Sequence, residues 1–238
     1  MTGASKGIGL GIARTLAAEG ANVAITSRSR ERIEAAASEI GARGYVHDNR
    51  DLDGASALVD RVEEDLGALE VLVTNTGGPP VGPDALGFTR DQWEGAYREL
   101  VLAPMALIER SLPGMRQRGF GRILNVSSSA VREPVPILML SNAHSTGLLG
   151  GFKTLARQVA SDGVTLNTVL PGWIATDRMF QTAGSREAAE ESARREIPAR
   201  RLGTVEELAV VAAFLCSARA SYVTGTAVLV DGGLTHSI

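Results

Sequence analysis

An α/β fold built on a doubly wound parallel sheet is predicted by three features of the 238-residue chain. Short β-branched or apolar runs alternate with segments of helical spacing, the pattern of parallel strands joined by crossover helices. Those runs show almost no polar alternation, so their strands are covered on both faces. A glycine turn, Thr2-Gly3-Ala4-Ser5-Lys6-Gly7-Ile8-Gly9, leads straight into the apolar-periodic stretch Ile8, Ile12, Leu16. Small residues there let backbone N–H groups close on phosphate oxygens, and the helix that follows aims its unpaired amides at the same anion, which suits a dinucleotide pyrophosphate.

The remaining elements follow in order. Val23-Ala24-Ile25-Thr26 is a strand, Ile33, Ala37 and Ile40 mark a helix face, and Tyr45-Val46-His47 is the next strand. Leu58, Val62 and Leu66 line a second helix, followed by the strand Val71-Leu72-Val73-Thr74. Gly77-Gly78-Pro79-Pro80-Val81-Gly82-Pro83 cannot be helical and forms a rigid loop at the carboxyl edge of the sheet, where such folds bind ligands. Ile123-Leu124-Asn125-Val126 and the run from Val164 to Leu170 are strands, as is Ala227-Val228-Leu229-Val230 after a helix marked by Val205, Leu208 and Ala212. Between them, the charged segment from Gly184 to Arg201 reads either as a mobile helical lid over the carboxyl edge or as a solvated amphipathic helix. With no repeat, low-complexity tract or linker, residues 1–238 are expected to form one domain, with the lid at about 177–201.

A net charge of −3 with interspersed signs gives no basic footprint for nucleic acid. Cys216 is the only cysteine, so there is no disulfide framework and no cysteine-based metal site; its place in Ala213-Phe214-Leu215-Cys216 reads as core packing. The longest strongly apolar stretch, Leu208 to Cys216, is too short for a bilayer span. A soluble cytoplasmic protein with a small-molecule substrate is the expectation. Only two lysines occur, Lys6 and Lys153, and neither stands where a catalytic lysine would be wanted.

Taken together, these motifs resemble the short-chain dehydrogenase/reductase family over essentially the whole chain, specifically a divergent branch similar to 3-oxoacyl-ACP reductases. The landmarks are the turn Thr2 to Gly9, Asp48 after a strand, Thr74-Asn75-Thr76-Gly77, Asn125-Val126-Ser127-Ser128, Pro171-Gly172 with Thr176, Val223-Thr224-Gly225 and Val230-Asp231-Gly232-Gly233. The resemblance implies a Rossmann-type sheet of about seven strands in the order 3-2-1-4-5-6-7 and a homotetramer or homodimer. Family members place an apolar strand before the glycine turn, in the middle of the sheet, whereas here only Met1 stands there. Two rows of unpaired core backbone groups would each cost about 1–3 kcal/mol per group, so the true start is expected upstream of Met1.

The resemblance also assigns cofactor contacts. Gly3, Ser5, Lys6, Gly7, Ile8 and Gly9 form the phosphate turn, Asp48 lies near the adenine, and Asn75 and Gly77 run along the adenosine ribose, with Pro171, Gly172 and Thr176 further along. At the end of the second family strand stands Ser27-Arg28 instead of the acid that favours NAD(H). An arginine fork there pairs with a 2′-phosphate, and Lys6 adds charge, so NADP(H) is expected over NAD(H). The alternative is that Arg28 and Lys6 are ordinary surface cations.

Family enzymes protonate the substrate from a tyrosine tuned by a lysine four residues later, with a serine thirteen residues earlier orienting the carbonyl. Counting from Ser128, the tyrosine position is Ser141 and the lysine position is Ser145, within Ser141-Asn142-Ala143-His144-Ser145; the family asparagine falls on Leu100. An aliphatic alcohol is a much poorer acid than a tuned phenol, and losing a positioned general acid costs about 10²- to 10⁴-fold in rate. His144 is the ionisable alternative in this stretch, but on a helix it lies about 60° from Ser141 and about 100° from Ser145. Tyr97, one turn before Leu100, is a further candidate. Two functions remain open on the sequence: an NADP(H)-dependent oxidoreductase acting on a carbonyl or alcohol through Ser128, Ser141, Ser145 or His144, and a catalytically impaired nucleotide-binding module with a sensing or assembly role. A non-redox enzyme reusing the pocket is a third.

Overall fold

A computed structural model of the chain describes residues 1–237. In chain order it forms α1 (Gly7–Ala18), β1 (Ala24–Ser27), α2 (Arg30–Ile40), β2 (Arg43–Val46), α3 (Gly54–Leu66), β3 (Val71–Thr74) and α4 (Arg90–Tyr97). A π-helical turn over Arg98–Leu102 joins α4 to α5 (Ala103–Arg118), followed by β4 (Gly121–Val126), α6 (Met139–Val159) and β5 (Val164–Pro171). The chain closes with α7 (Asp177–Ala183), α8 (Arg186–Glu196), α9 (Val205–Cys216) and β6 (Ala227–Val230). Each predicted apolar run falls on a strand, with ends displaced by a residue or two.

All strand pairs are parallel, in two hydrogen-bonded groups ordered β1-β2 and β3-β4-β5-β6. The expected gap between them is bridged by the segment from Met1 to Ala4. On one side Met1 N donates to Ala24 O at 2.7 Å, Thr26 N to Met1 O at 2.9 Å and Ala4 N to Thr26 O at 3.0 Å; on the other, Thr2 N donates to Val73 O at 3.1 Å. Four residues thus satisfy part of the two backbone rows that the sequence left without a partner.

Strand side chains alternate between faces, and the two helix layers divide them accordingly. Leu72, Ile123 and Leu166 pack with Leu107 and Met115 of α5 and with Leu148 and Phe152 of α6. Val73, Leu124 and Val169 face the other way, onto Ile12 of α1 and Leu208, Ala212 and Leu215 of α9. Cys216 is buried in that second layer and its thiol is pushed up to about 12 by desolvation, as its core reading requires. The segment after β5 is helical and carries its own small core: Ala189, Ala193, Ile197 and Leu202 are buried against Trp173, Met179 and Phe180. Met179 and Phe180 pack on this small core, and Met179 also lines the cavity described below.

Candidate functional site

The glycine turn lies at the carboxyl edge and α1 starts within it. Lys6 is the N-cap residue and makes no side-chain capping bond, so the first-turn amides have no side-chain acceptor there. Gly3 and Gly7 both take φ of 57°, and a Cβ on Gly9 would stand 2.3 Å from Gly3 O. Asn75 braces the turn: its Nδ2 donates to Gly3 O at 2.8 Å, and its backbone N–H donates to Thr2 Oγ1 at 2.9 Å. One N–H of its carboxamide thus braces the turn, while the residue also lines the cavity beside it. Open amides, positive-φ glycines and a turn too close for side chains fit an anionic phosphate group.

Beyond the turn, a cavity of about 350 Å³ opens along the ends of β3, β4 and β5. Of the residues predicted from sequence, Ile8, Asn75, Gly77, Ser128, Ser141, Ser145, Pro171, Gly172 and Thr176 line it. Gly3, Ser5, Lys6, Gly7, Gly9, Arg28 and Asp48 lie outside it. Arg28 is exposed just past the end of β1, Lys6 reaches Asp177 at 3.5 Å, and Asp48 accepts from Arg50 N at 3.0 Å in a tight turn. Thr176 caps α7, accepting from Met179 N at 3.3 Å, and Gly172 N donates to Val230 O at 3.0 Å.

Three serines share the cavity wall. Ser128 follows β4 and its Oγ accepts from Ala130 N at 3.1 Å, which fixes its rotamer. Ser141 Oγ and Ser145 Oγ, one turn apart on α6, stand 3.5 Å from each other. His144 does not join them: its ring packs on Trp93 at 5.4 Å and Tyr97 at 5.7 Å between centroids, away from the cavity lining. The expected angular offset on the helix explains this displacement. Burial lowers its pKa, and its Nε2 is enclosed without a partner among the described residues.

No tyrosine replaces the missing one on this wall. Tyr97 packs at a tilt on His144, Tyr222 is fully exposed, and Tyr45 is pushed up to about 12 by burial and by donating to Asp65 at 2.8 Å. Lys153 donates to Gly225 O at 2.9 Å and does not line the cavity. Among the described residues no group of three or more His, Cys, Asp or Glu side chains is placed to hold a metal. No helix there is long and apolar enough to cross a membrane.

Among the lining residues that sequence reasoning passed over are Asn49, Glu99 and Arg178. Asn49 donates through Nδ2 to Asn75 O at 3.2 Å. Glu99 is 9% exposed and held by Arg50 Nε at 2.5 Å. Arg178 at the mouth donates through Nη1 to Gly77 O and through Nη2 to Pro79 O, the latter at 3.2 Å.

Residues 3–235 match the family model described as enoyl-(acyl carrier protein) reductase. The chain is 32% identical to the NADPH-dependent reductase BacG of Bacillus subtilis, covering 99% of this chain and 96% of that protein. It is 33% identical to the 3-oxoacyl-[acyl-carrier-protein] reductase FabG of Haemophilus influenzae, covering 98% and 96%. The chain belongs to the short-chain dehydrogenase/reductase family. Crystal structures agree: YwfH, an NADPH-dependent reductase involved in bacilysin biosynthesis, superposes with a TM-score of 0.94 at 31% identity over 100% of this chain and 97% of its own. The L-sorbose reductase of Gluconobacter frateurii, solved with NADPH and L-sorbose, gives 0.92 at 31% identity over 100% and 96%. The Rossmann-type fold expected of a short-chain dehydrogenase/reductase is therefore present, with 3-oxoacyl-ACP reductases among its relatives.

Proposed function

We propose that this protein is an NADP(H)-dependent oxidoreductase acting on a carbonyl or alcohol, with an atypical proton path. One observation carries the reading: a cavity that adjoins the phosphate turn brings Ser128, Ser141 and Ser145 onto one wall. Its relatives include reductases named for NADPH dependence.

When bound, the nicotinamide supplies or accepts the hydride. The turn from Gly3 to Gly9 would hold the pyrophosphate on its amides, with Arg28 and Lys6 as the cations for a 2′-phosphate. Ser128, its rotamer fixed, would donate its hydroxyl to the substrate oxygen and orient the carbonyl. Ser141 hands a proton to the developing alkoxide and is replenished by Ser145 across their 3.5 Å separation or by water. Hydroxyls are weak acids, so this relay is slower than one headed by a tuned phenol. A homotetramer or homodimer accords with the family.

The absence of tyrosine and lysine from the wall favours a second reading, a nucleotide-binding module with a sensing or assembly role. A fluorescence titration with NADPH, followed by a panel of ketones, aldehydes and 3-oxoacyl thioesters, separates the two. Oxidation of bound NADPH by any member supports the oxidoreductase; tight NADPH binding with no turnover across the panel supports the module.

A further inference from the structure

Two charged side chains, Glu99 and Arg178, line the cavity, and they are not balanced against each other. Glu99 is neutralised from outside by Arg50 at 2.5 Å. Asp177, the acid beside Arg178 in sequence, turns to Lys6 at 3.5 Å. Arg178 itself donates to the carbonyls of Gly77 and Pro79, which carry no formal charge. The cavity mouth therefore has a net positive charge, while much of the remaining wall is apolar, including Pro80, Leu100, Pro104, Ile137, Leu138 and Met179.

The loop is shaped around this guanidinium. Gly78 has φ of 78°, and a Cβ placed on it would stand 2.9 Å from Nη2 of Arg178. At this φ a side chain would be strained, and it would push the fork from its place between the Gly77 and Pro79 carbonyls. Those two bonds use two of five N–H donors, so the others are available to a bidentate anion.

We infer that Arg178 is a specificity-determining residue that selects carbonyl substrates bearing a carboxylate, with their apolar frame in the cavity and the acid group at its mouth. The inference rests on the oxidoreductase reading above. Uncharged analogues would leave the guanidinium with its carbonyl partners and gain nothing from it. A phosphate oxygen of the cofactor offers the same chemistry as a carboxylate, so the test must separate the two sources.

Calorimetry on full-length protein does so. NADPH is titrated first into wild type, Arg178→Met and Arg178→Lys; the protein saturated with NADP+ is then titrated with benzoylpropionate, levulinate and the methyl ester of each. The expected result is acids binding about 10- to 100-fold more tightly than their esters in wild type. That preference is expected to vanish in Arg178→Met and to persist in part in Arg178→Lys, with NADPH affinity unchanged. Equal binding of acid and ester, no binding of either acid, or a loss of NADPH affinity in Arg178→Met with the acid preference intact overturns the inference. The last outcome assigns Arg178 to the cofactor phosphates. No NADPH binding by wild type defeats the oxidoreductase reading itself, at a step distinct from the others.

Discussion

Ser141 Oγ lies 3.5 Å from Ser145 Oγ in the cavity lining that also includes Ser128, so the positions to which the family resemblance assigns a phenol and an ammonium carry two small hydroxyls close to each other. If proton delivery limits the reaction, restoring the stronger acid accelerates it. Ser141→Tyr with Ser145→Lys is expected to raise single-turnover NADPH oxidation by about 10²- to 10⁴-fold. Ser141→Tyr alone gains less, because a phenol near pKa 10 needs the neighbouring cation to approach neutrality. A folded, NADPH-binding double variant no faster than wild type would show that the natural proton route is already adequate.

Arg28 is exposed immediately beyond β1, on the side of the sheet edge where α1 begins. A guanidinium there discriminates by pairing with a 2′-phosphate, whereas an acid repels it. Arg28→Ala is expected to weaken NADPH binding about 10-fold or more while leaving NADH within about 2-fold, and Arg28→Asp to reverse the preference. Fluorescence titration with both dinucleotides measures this, and equal losses for the two would return Arg28 to an ordinary surface cation.

Much of this architecture was legible in the sequence because doubly covered strands leave little choice of pattern: Val71-Leu72-Val73-Thr74 reads as β3 from its apolar run alone. The three serines that the resemblance singles out all line the cavity, Ser128 just after β4 and Ser141 and Ser145 on α6. Arg178 and Glu99 were not legible in the sequence. Arg178 reaches the cavity only because α7 sits over the Gly77 to Pro79 loop, a tertiary relation without periodicity. Glu99 lies in a π-helical turn, where Ala103 N donates back to Arg98 O and the ordinary helical count slips by one. The bridging role of Met1 to Ala4 was hidden for the same reason, as four residues carry no periodic signal.

Gly9 and Asn75 test whether the turn is held by its own packing. A methyl group on Gly9 would stand 2.3 Å from Gly3 O and 2.9 Å from Ala4 Cα, against backbone that cannot yield cheaply, and 2.9 Å from the side-chain Nδ2 of Asn75. Gly9→Ala is expected to cost about 1–3 kcal/mol and to abolish NADPH binding. Asn75→Ala leaves Gly3 O without its donor, with a cost of about 1–3 kcal/mol and a matching loss of cofactor affinity. Urea unfolding monitored with and without NADPH reads both terms; unaltered midpoints and affinity in both variants would contradict the bracing role.

His144 supplies the pH test. Its pKa is lowered, chiefly by burial against α4, and the groups facing it there are Trp93, whose backbone hydrogen bond opposes the shift, and the ring of Tyr97. Protonation would place a second N–H at the enclosed Nε2, which has no acceptor among the described residues. Below the unfolded histidine pKa near 6.5 the unfolded chain therefore binds the proton more readily than the folded one, and stability falls as pH drops. The stability difference between wild type and His144→Gln, followed by urea unfolding from pH 7.5 to 5, should consequently move against the wild type on acidification. Because the ring lies outside the cavity lining, His144→Gln is also expected to leave single-turnover hydride transfer within about 2-fold, where loss of a general acid costs about 10²-fold or more. A large rate loss at constant NADPH affinity would bring His144 back as a proton donor acting from a rearranged α6.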